Sequence, residues 1–207
     1  MKNWVAGLAV AVWLCAGRAQ ALLVDWGAVD FTLGSGPNRS AIVIDWNDGS
    51  PIDYLSWAFY WDTPPGAGYL ADLLIAVTNA DPRLSAFFTD FGIWGLFVDG
   101  FGFDSNLDSD FTDPGEHYQH RGSGWSPTFV MWQGDANDPA WTVGSSGISS
   151  TPVSNNLVFG FVWNTSGGWP GDPPPVVPEP GSFVLAAAGA AALLAARRMS
   201  RRSGASH

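Results

Sequence analysis

The chain has little cysteine and, between its two ends, almost no basic charge. Its single cysteine, Cys15, lies in the first apolar run. If that run is lost on export, no thiol remains. This excludes disulfides, thiolate metal sites and a cysteine nucleophile from the mature protein. Residues 22–177 hold only Arg39, Arg83 and Arg121, against eighteen of the nineteen carboxylates, which leaves a net charge of −15 there. Such a surface repels phosphates and anionic lipid, so a nucleic-acid partner is excluded. There is no Gly-x-Ser-x-Gly elbow, and the glycine-rich stretch at residues 92–102 lacks the lysine of a phosphate loop. The expectation is a protein without enzymatic activity.

What is present begins with two apolar ends, which are set aside before any fold is read. Residues 1–21 read as a signal peptide: Lys2 gives a positive start, residues 4–16 form an apolar helix, and Ala19-Gln20-Ala21 is a small-x-small cleavage site. Cleavage there leaves Leu22 as the first mature residue. At the other end, residues 171–181 are a proline-rich linker, expected to be extended and solvated. Residues 182–196 are apolar and are expected to form a transmembrane helix, short for a bilayer but helped by tilt. Residues 197–207 form a basic cytoplasmic tail with Arg197, Arg198, Arg201 and Arg202, which places residues 22–177 on the outer side.

The order Val177-Pro178-Glu179-Pro180-Gly181, apolar helix, arginine cluster resembles the PEP-CTERM sorting tail over roughly residues 177–202. That resemblance implies an exosortase as partner, with Pro178, Glu179 and Pro180 as the recognition element and cleavage near them. It also implies a place at the cell surface or in the extracellular matrix, beside exopolysaccharide in biofilm or floc. An ordinary tail anchor predicts no particular motif before its helix.

Residues 22–170 alternate glycine-rich turns with aromatic and β-branched runs, a β pattern. Strands are expected at residues 41–46, 55–61, 97–103, 128–132 and 157–163. In the second of these, Leu55, Trp57, Phe59 and Trp61 share one face. Residues 68–80 place Leu70, Leu73, Leu74 and Val77 at helical spacing, and Asp81-Pro82 stops the run. One helix among several strands suggests an α+β domain, a small and mainly antiparallel sheet with the helix packed across it.

Three segments carry a second resemblance: Tyr69-Leu70-Ala71-Asp72-Leu73-Leu74, the aromatic-glycine stretch at residues 91–100, and Gly147-Ile148-Ser149 leading to the last strand. Their order looks like the β-grasp-like domain at the carboxy terminus of transcobalamin-type cobalamin binders. Asn155-Asn156 departs from that pattern, standing where Gly-Asp is usual. The resemblance implies a β-grasp-like fold and, as an alternative function, a module for a corrinoid or similar small molecule.

Asp104, Asn106, Asp108 and Asp110 place oxygen donors at alternate positions, a spacing that suits calcium. An EF-hand loop would need glycine sixth and glutamate twelfth, where Ser109 and Gly115 stand, so a solvated acidic loop competes with a calcium site. Apart from this calcium no cofactor is expected. Glu116-His117-Tyr118-Gln119-His120 lacks the spacing of a helical zinc site and reads as a loop with two surface histidines. Trp125, Trp132, Trp141 and Trp169 could stack on sugars if exposed, with Trp169 the best placed, but most would fill a core. A carbohydrate-active protein is the third functional class, and it needs two carboxylates facing each other across a cleft.

Overall fold

A computed structural model describes residues 23–49, 53–122, 127–138, 140–165, 170–175 and 177. Among them are nine strands: β1 (Phe31–Gly34), β2 (Asn38–Asp45), β3 (Tyr54–Trp61), β4 (Leu84–Asp90), β5 (Leu96–Phe103), β6 (His117–His120), β7 (Thr128–Asp135), β8 (Thr142–Val143) and β9 (Leu157–Asn164). The one α-helix among the described residues is α1 (Leu70–Ala80), where Leu70, Leu73, Leu74 and Val77 are all fully buried. Its first turn is held by the Asp72 carboxylate, which accepts the backbone N–H groups of Ala67 at 2.9 Å and Tyr69 at 3.3 Å. Pro82 ends it, having no N–H to donate.

The strands form two sheets, not one. Six make a mixed sheet in the order β1-β3-β2-β9-β7-β8, and three make an antiparallel sheet in the order β4-β5-β6. The β1–β3 and β2–β9 pairs are parallel. The expected class, α+β with a single small sheet and a β-grasp-like arrangement, is therefore corrected to a mainly β architecture. The physical reason lies in the cover of the large sheet. Ile42, Ile44, Trp57, Phe159 and Phe161 need more apolar partners than an 11-residue helix can supply, and Val98, Phe101 and Phe103 of the small sheet share the task. The helix touches β1, β3 and β4, while β5 reaches over β7.

The membrane-spanning part of that expectation is corrected as well: among the described residues no helix is long and apolar enough to cross a membrane. The signal helix in residues 1–21 and the apolar helix in residues 182–196 lie outside the described residues.

The other face of the large sheet carries Ala41, Val43 and Val158, and it is covered by the two ends of the domain. Glycines inside two strands make the room. A Cβ on Gly134 of β7 would overlap the Leu23 side chain, and one on Gly160 of β9 would overlap the ring of Pro174. Leu23 is fully buried, Pro174 is buried, and Val177 is only 3% exposed. Val177 pairs with Val24 in a parallel bridge. Its N–H donates to Leu23 O and its carbonyl accepts from Asp25 N, both at 3.1 Å. The proline-rich segment expected as a solvated linker is thus exposed at Gly171, Asp172 and Pro173 but docked on the sheet at Pro174 and at Val177, directly before the Pro-Glu-Pro motif.

Candidate functional site

The β5–β6 hairpin carries the acidic loop. Phe103 pairs with His117, so the next residues outward, Asp104 and Glu116, face each other across the base of residues 104–116. Both are only 7% exposed. Asp104 accepts the N–H groups of Leu107 at 2.6 Å and Ser109 at 2.8 Å, which curls the loop back over it. Leu107 and Ser109 take positive φ to allow this curl. Glu116 Oε1 accepts both the N–H and the hydroxyl of Ser105, at 2.9 and 2.8 Å, while its buried Oε2 has no hydrogen-bond partner. One ligand oxygen each from Asp104, Asp108 and Glu116 lie within 4.8 Å of one another.

Of the four residues expected to face calcium, the fold therefore gathers Asp104 and Asp108. Asp110 does not belong to this group of carboxylates. Asn106 bonds Asp113 and the N–H of Asp108, and Asp110 accepts from Thr112 N. Glu116 joins instead, at one position beyond the twelfth. Counting from Asp104 as in an EF-hand misses it; counting from the strand register finds it.

The histidine pair differs from expectation. Residues 117–120 are strand β6 rather than loop, and His117 and His120, three apart, fall on opposite faces. His117 is buried, donates from Nδ1 to Asp48 Oδ2 at 2.8 Å, and stacks on Trp46 at 4.7 Å. His120 is exposed beside Asp99. They cannot share one metal ion.

A second group of acids lies where β2 turns toward β3. Burial pushes the Asp45 carboxyl above its ordinary range; the Asn47 N–H opposes this, and the charges of Asp53 and Asp48 add to it. Neither of two cavities in the domain is lined by Asp45, Asp104 or Glu116. The more enclosed of the two, about 190 Å³, lies between the sheets against Phe97, Phe129, Met131, Ile148 and Phe161. It is smaller than the roughly 300 Å³ at which drug-sized pockets begin. The space between helix and sheet is filled by Leu70, Leu73, Leu74 and Val77.

Among the sugar-stacking candidates, Trp132 is buried and Trp141 half-buried, while Trp125 and Trp169 lie outside the described residues. Among the described residues the exposed tryptophan is Trp94, at 70%, beside Ile93 at 94% in a 3₁₀ turn (Gly92–Trp94) between β4 and β5. A glycine-flanked apolar pair in a hairpin connection was the available signal.

The remaining residues singled out in the sequence lie outside the described residues: Ala19 and Ala21 of the cleavage site, Pro178, Glu179 and Pro180, and Arg197, Arg198, Arg201 and Arg202. Residues 176–202 match the PEP-CTERM protein-sorting motif. No curated protein and no solved structure matches the chain. The chain carries a PEP-CTERM protein-sorting motif, which marks it as an exported protein sorted by an exosortase to the cell surface.

Proposed function

We propose that the exported domain is a non-catalytic component of the cell surface or extracellular matrix, working beside exopolysaccharide in a biofilm. The observation that carries this reading is the sorting motif at residues 176–202. Further support comes from how the domain uses its side chains. Its aromatic residues fill a core that has no disulfide to help it, and its buried acids Asp81, Asp104 and Glu116 sit at a helix end and a hairpin base, lining neither cavity. With a net charge of −15 over residues 22–177, the domain suits a neutral polymer, or an acidic one bridged by cations.

The processing test uses two hosts, one with an exosortase and one without, and intact mass to define both termini. The expected product in the first host begins at Leu22 and has lost the residues after about Pro180. Glu179→Ala should return the unprocessed C-terminus in that host. An intact C-terminus in both hosts would remove the main support for a matrix role.

The exposed Ile93–Trp94 turn is where a sugar chain would stack. Trp94→Ala is expected to weaken co-sedimentation with the host's exopolysaccharide by about three- to tenfold, the scale of one aromatic contact. The melting temperature should not change. Unchanged co-sedimentation would exclude this turn as the contact.

A further inference from the structure

We propose that the β5–β6 hairpin loop binds a calcium ion through Asp104, Asp108 and Glu116, with Glu116 Oε2 as the buried inner ligand. Three acidic side chains alone would not carry this, because most acidic loops are simply solvated. What carries it is Glu116. It is more than nine-tenths buried, and its Oε2 accepts no hydrogen bond although the other oxygen accepts two. A buried carboxylate oxygen without a donor is expensive unless a cation meets it. Asp104, equally buried, faces it across the hairpin base.

Among the described residues no side-chain cation relieves the pair. Arg83 is engaged with Asp81, Arg121 with Asp99, and Arg39 with Asn156. Among the described residues none forms an ion pair with Asp104, Asp108 or Glu116.

The donor set selects the metal. All three ligand atoms are carboxylate oxygens, and no histidine or cysteine joins them, which disfavours zinc. Magnesium demands a tight octahedron and gives up its waters reluctantly. Calcium takes six to eight oxygens at variable angles, a set that a curled loop can complete with backbone carbonyls and water. Asp108, exposed at the rim, is the ligand able to close over the ion. Each carboxylate oxygen that already accepts one N–H still has a lone pair for the metal.

The test uses the purified full chain in chelator-treated buffer and does not depend on sorting. Calorimetric titration with calcium chloride should give a dissociation constant of about 10⁻⁴–10⁻³ M, the range of extracellular modules. Magnesium should bind at least about tenfold more weakly. Glu116→Gln and Asp108→Asn should each weaken calcium about tenfold or more, the loss of one charged ligand. The exposed Asp62→Asn should leave it unchanged. Asp108 is exposed, so its variant tests the site without threatening the fold.

A second readout is the sign of the thermal shift. In chelator, Glu116→Gln should melt at or above the wild-type temperature, because a buried charge is gone. In excess calcium it should melt below wild type, because only the wild type gains from the ion. The proposal is overturned if the wild-type chain shows neither binding heat nor a shift at about 10 mM calcium, ten times the weak end of that range. Equal calcium affinity in wild type, Glu116→Gln and Asp108→Asn overturns it too.

Discussion

Asp81→Ala is expected to destabilise the domain by about 2–4 kcal/mol, less than the roughly 3–5 kcal/mol of a fully buried ion pair because the Arg83 side chain is 34% exposed. Asp81 closes α1 and is 3% exposed. Arg83 grips its carboxylate with two bonds, Nε to Oδ1 at 2.8 Å and Nη2 to Oδ2 at 2.9 Å. The buried indole of Trp57 on β3 donates to Oδ2 at 3.0 Å. One carboxylate therefore ties the helix end to β3 of the large sheet and to the residue before β4. Alanine would leave the Trp57 N–H without an acceptor and the Arg83 guanidinium over the rings of Phe31 and Phe103 without its counter-charge.

Urea unfolding at pH 7 measures the loss. A value below about 1 kcal/mol would mean that solvent replaces both partners freely. Acidity supplies an independent check. Burial raises the Asp81 carboxyl, but the hydrogen bonds from Arg83 and Trp57 and the charge of Arg83 outweigh it, and the result lies below the ordinary value. A carboxyl lowered by folding adds stability that is fully present above its unfolded value, about 3.9. That stability is lost as the pH falls through the lower folded value. The gap between wild type and Asp81→Ala should thus be constant near neutrality and close below about pH 4.

Gly160→Ala is expected to cost about 1–3 kcal/mol, the range for adding a group to a filled space. Gly160 has an ordinary strand conformation, so the effect is steric. A Cβ there would overlap the Pro174 ring and lie 3.2 Å from Trp141 Cη2. A proline ring cannot swing aside as a flexible side chain can. The segment carrying it must lift off the sheet. Limited proteolysis should then cut between β9 and Val177 in the variant and spare the wild type. Adding Pro174→Ala should restore part of the lost stability, because it removes the ring atoms in conflict. If the double variant is no better than Gly160→Ala alone, the docking of this segment is not what the glycine serves.

The elements with regular alternation were legible in the sequence. The run at residues 55–61 emerged as β3, and its Leu55, Trp57 and Trp61 point to the main core as the period-two pattern requires. The helix was found because its leucines repeat at helical spacing. Strand β4 was missed for a definite reason. Its run Leu84-Ser85-Ala86-Phe87-Phe88-Thr89-Asp90 does not alternate apolar with polar, and most of it is only half-buried, so the period-two signal is absent. Strand β6 is short and polar, and it hides behind Pro114 and Gly115.

The division into two sheets could not be read locally. It depends on β2 pairing with β9, from Ala41 with Val158 to Asp45 with Val162, across more than half the chain. The acidic loop was legible as a donor pattern. Glu116 was not, because its place opposite Asp104 is set by pairing in the hairpin rather than by a loop count. Gly134 and Gly160 give the same lesson. Glycine inside a strand signals a close approach, and only the fold shows that the two ends of the domain make it.

Tension arriving through the tail would enter this domain at Val177. There it meets two backbone hydrogen bonds, to Leu23 and Asp25, and the packing of one buried side chain, which can be peeled away one after the other. Once released, residues 170–177 could extend to at most about 26–29 Å, at roughly 3.3–3.6 Å per residue. The pull would then pass to β9, which is clamped between β2 and β7. Sliding it requires the β2 and β7 pairings to fail together, from Ala41↔Val158 to Asp45↔Val162 on one side and Thr128↔Asn164 to Asp135↔Leu157 on the other. Forced opening is governed by the height of that barrier. The domain would therefore behave as a short elastic leash backed by a rigid stop.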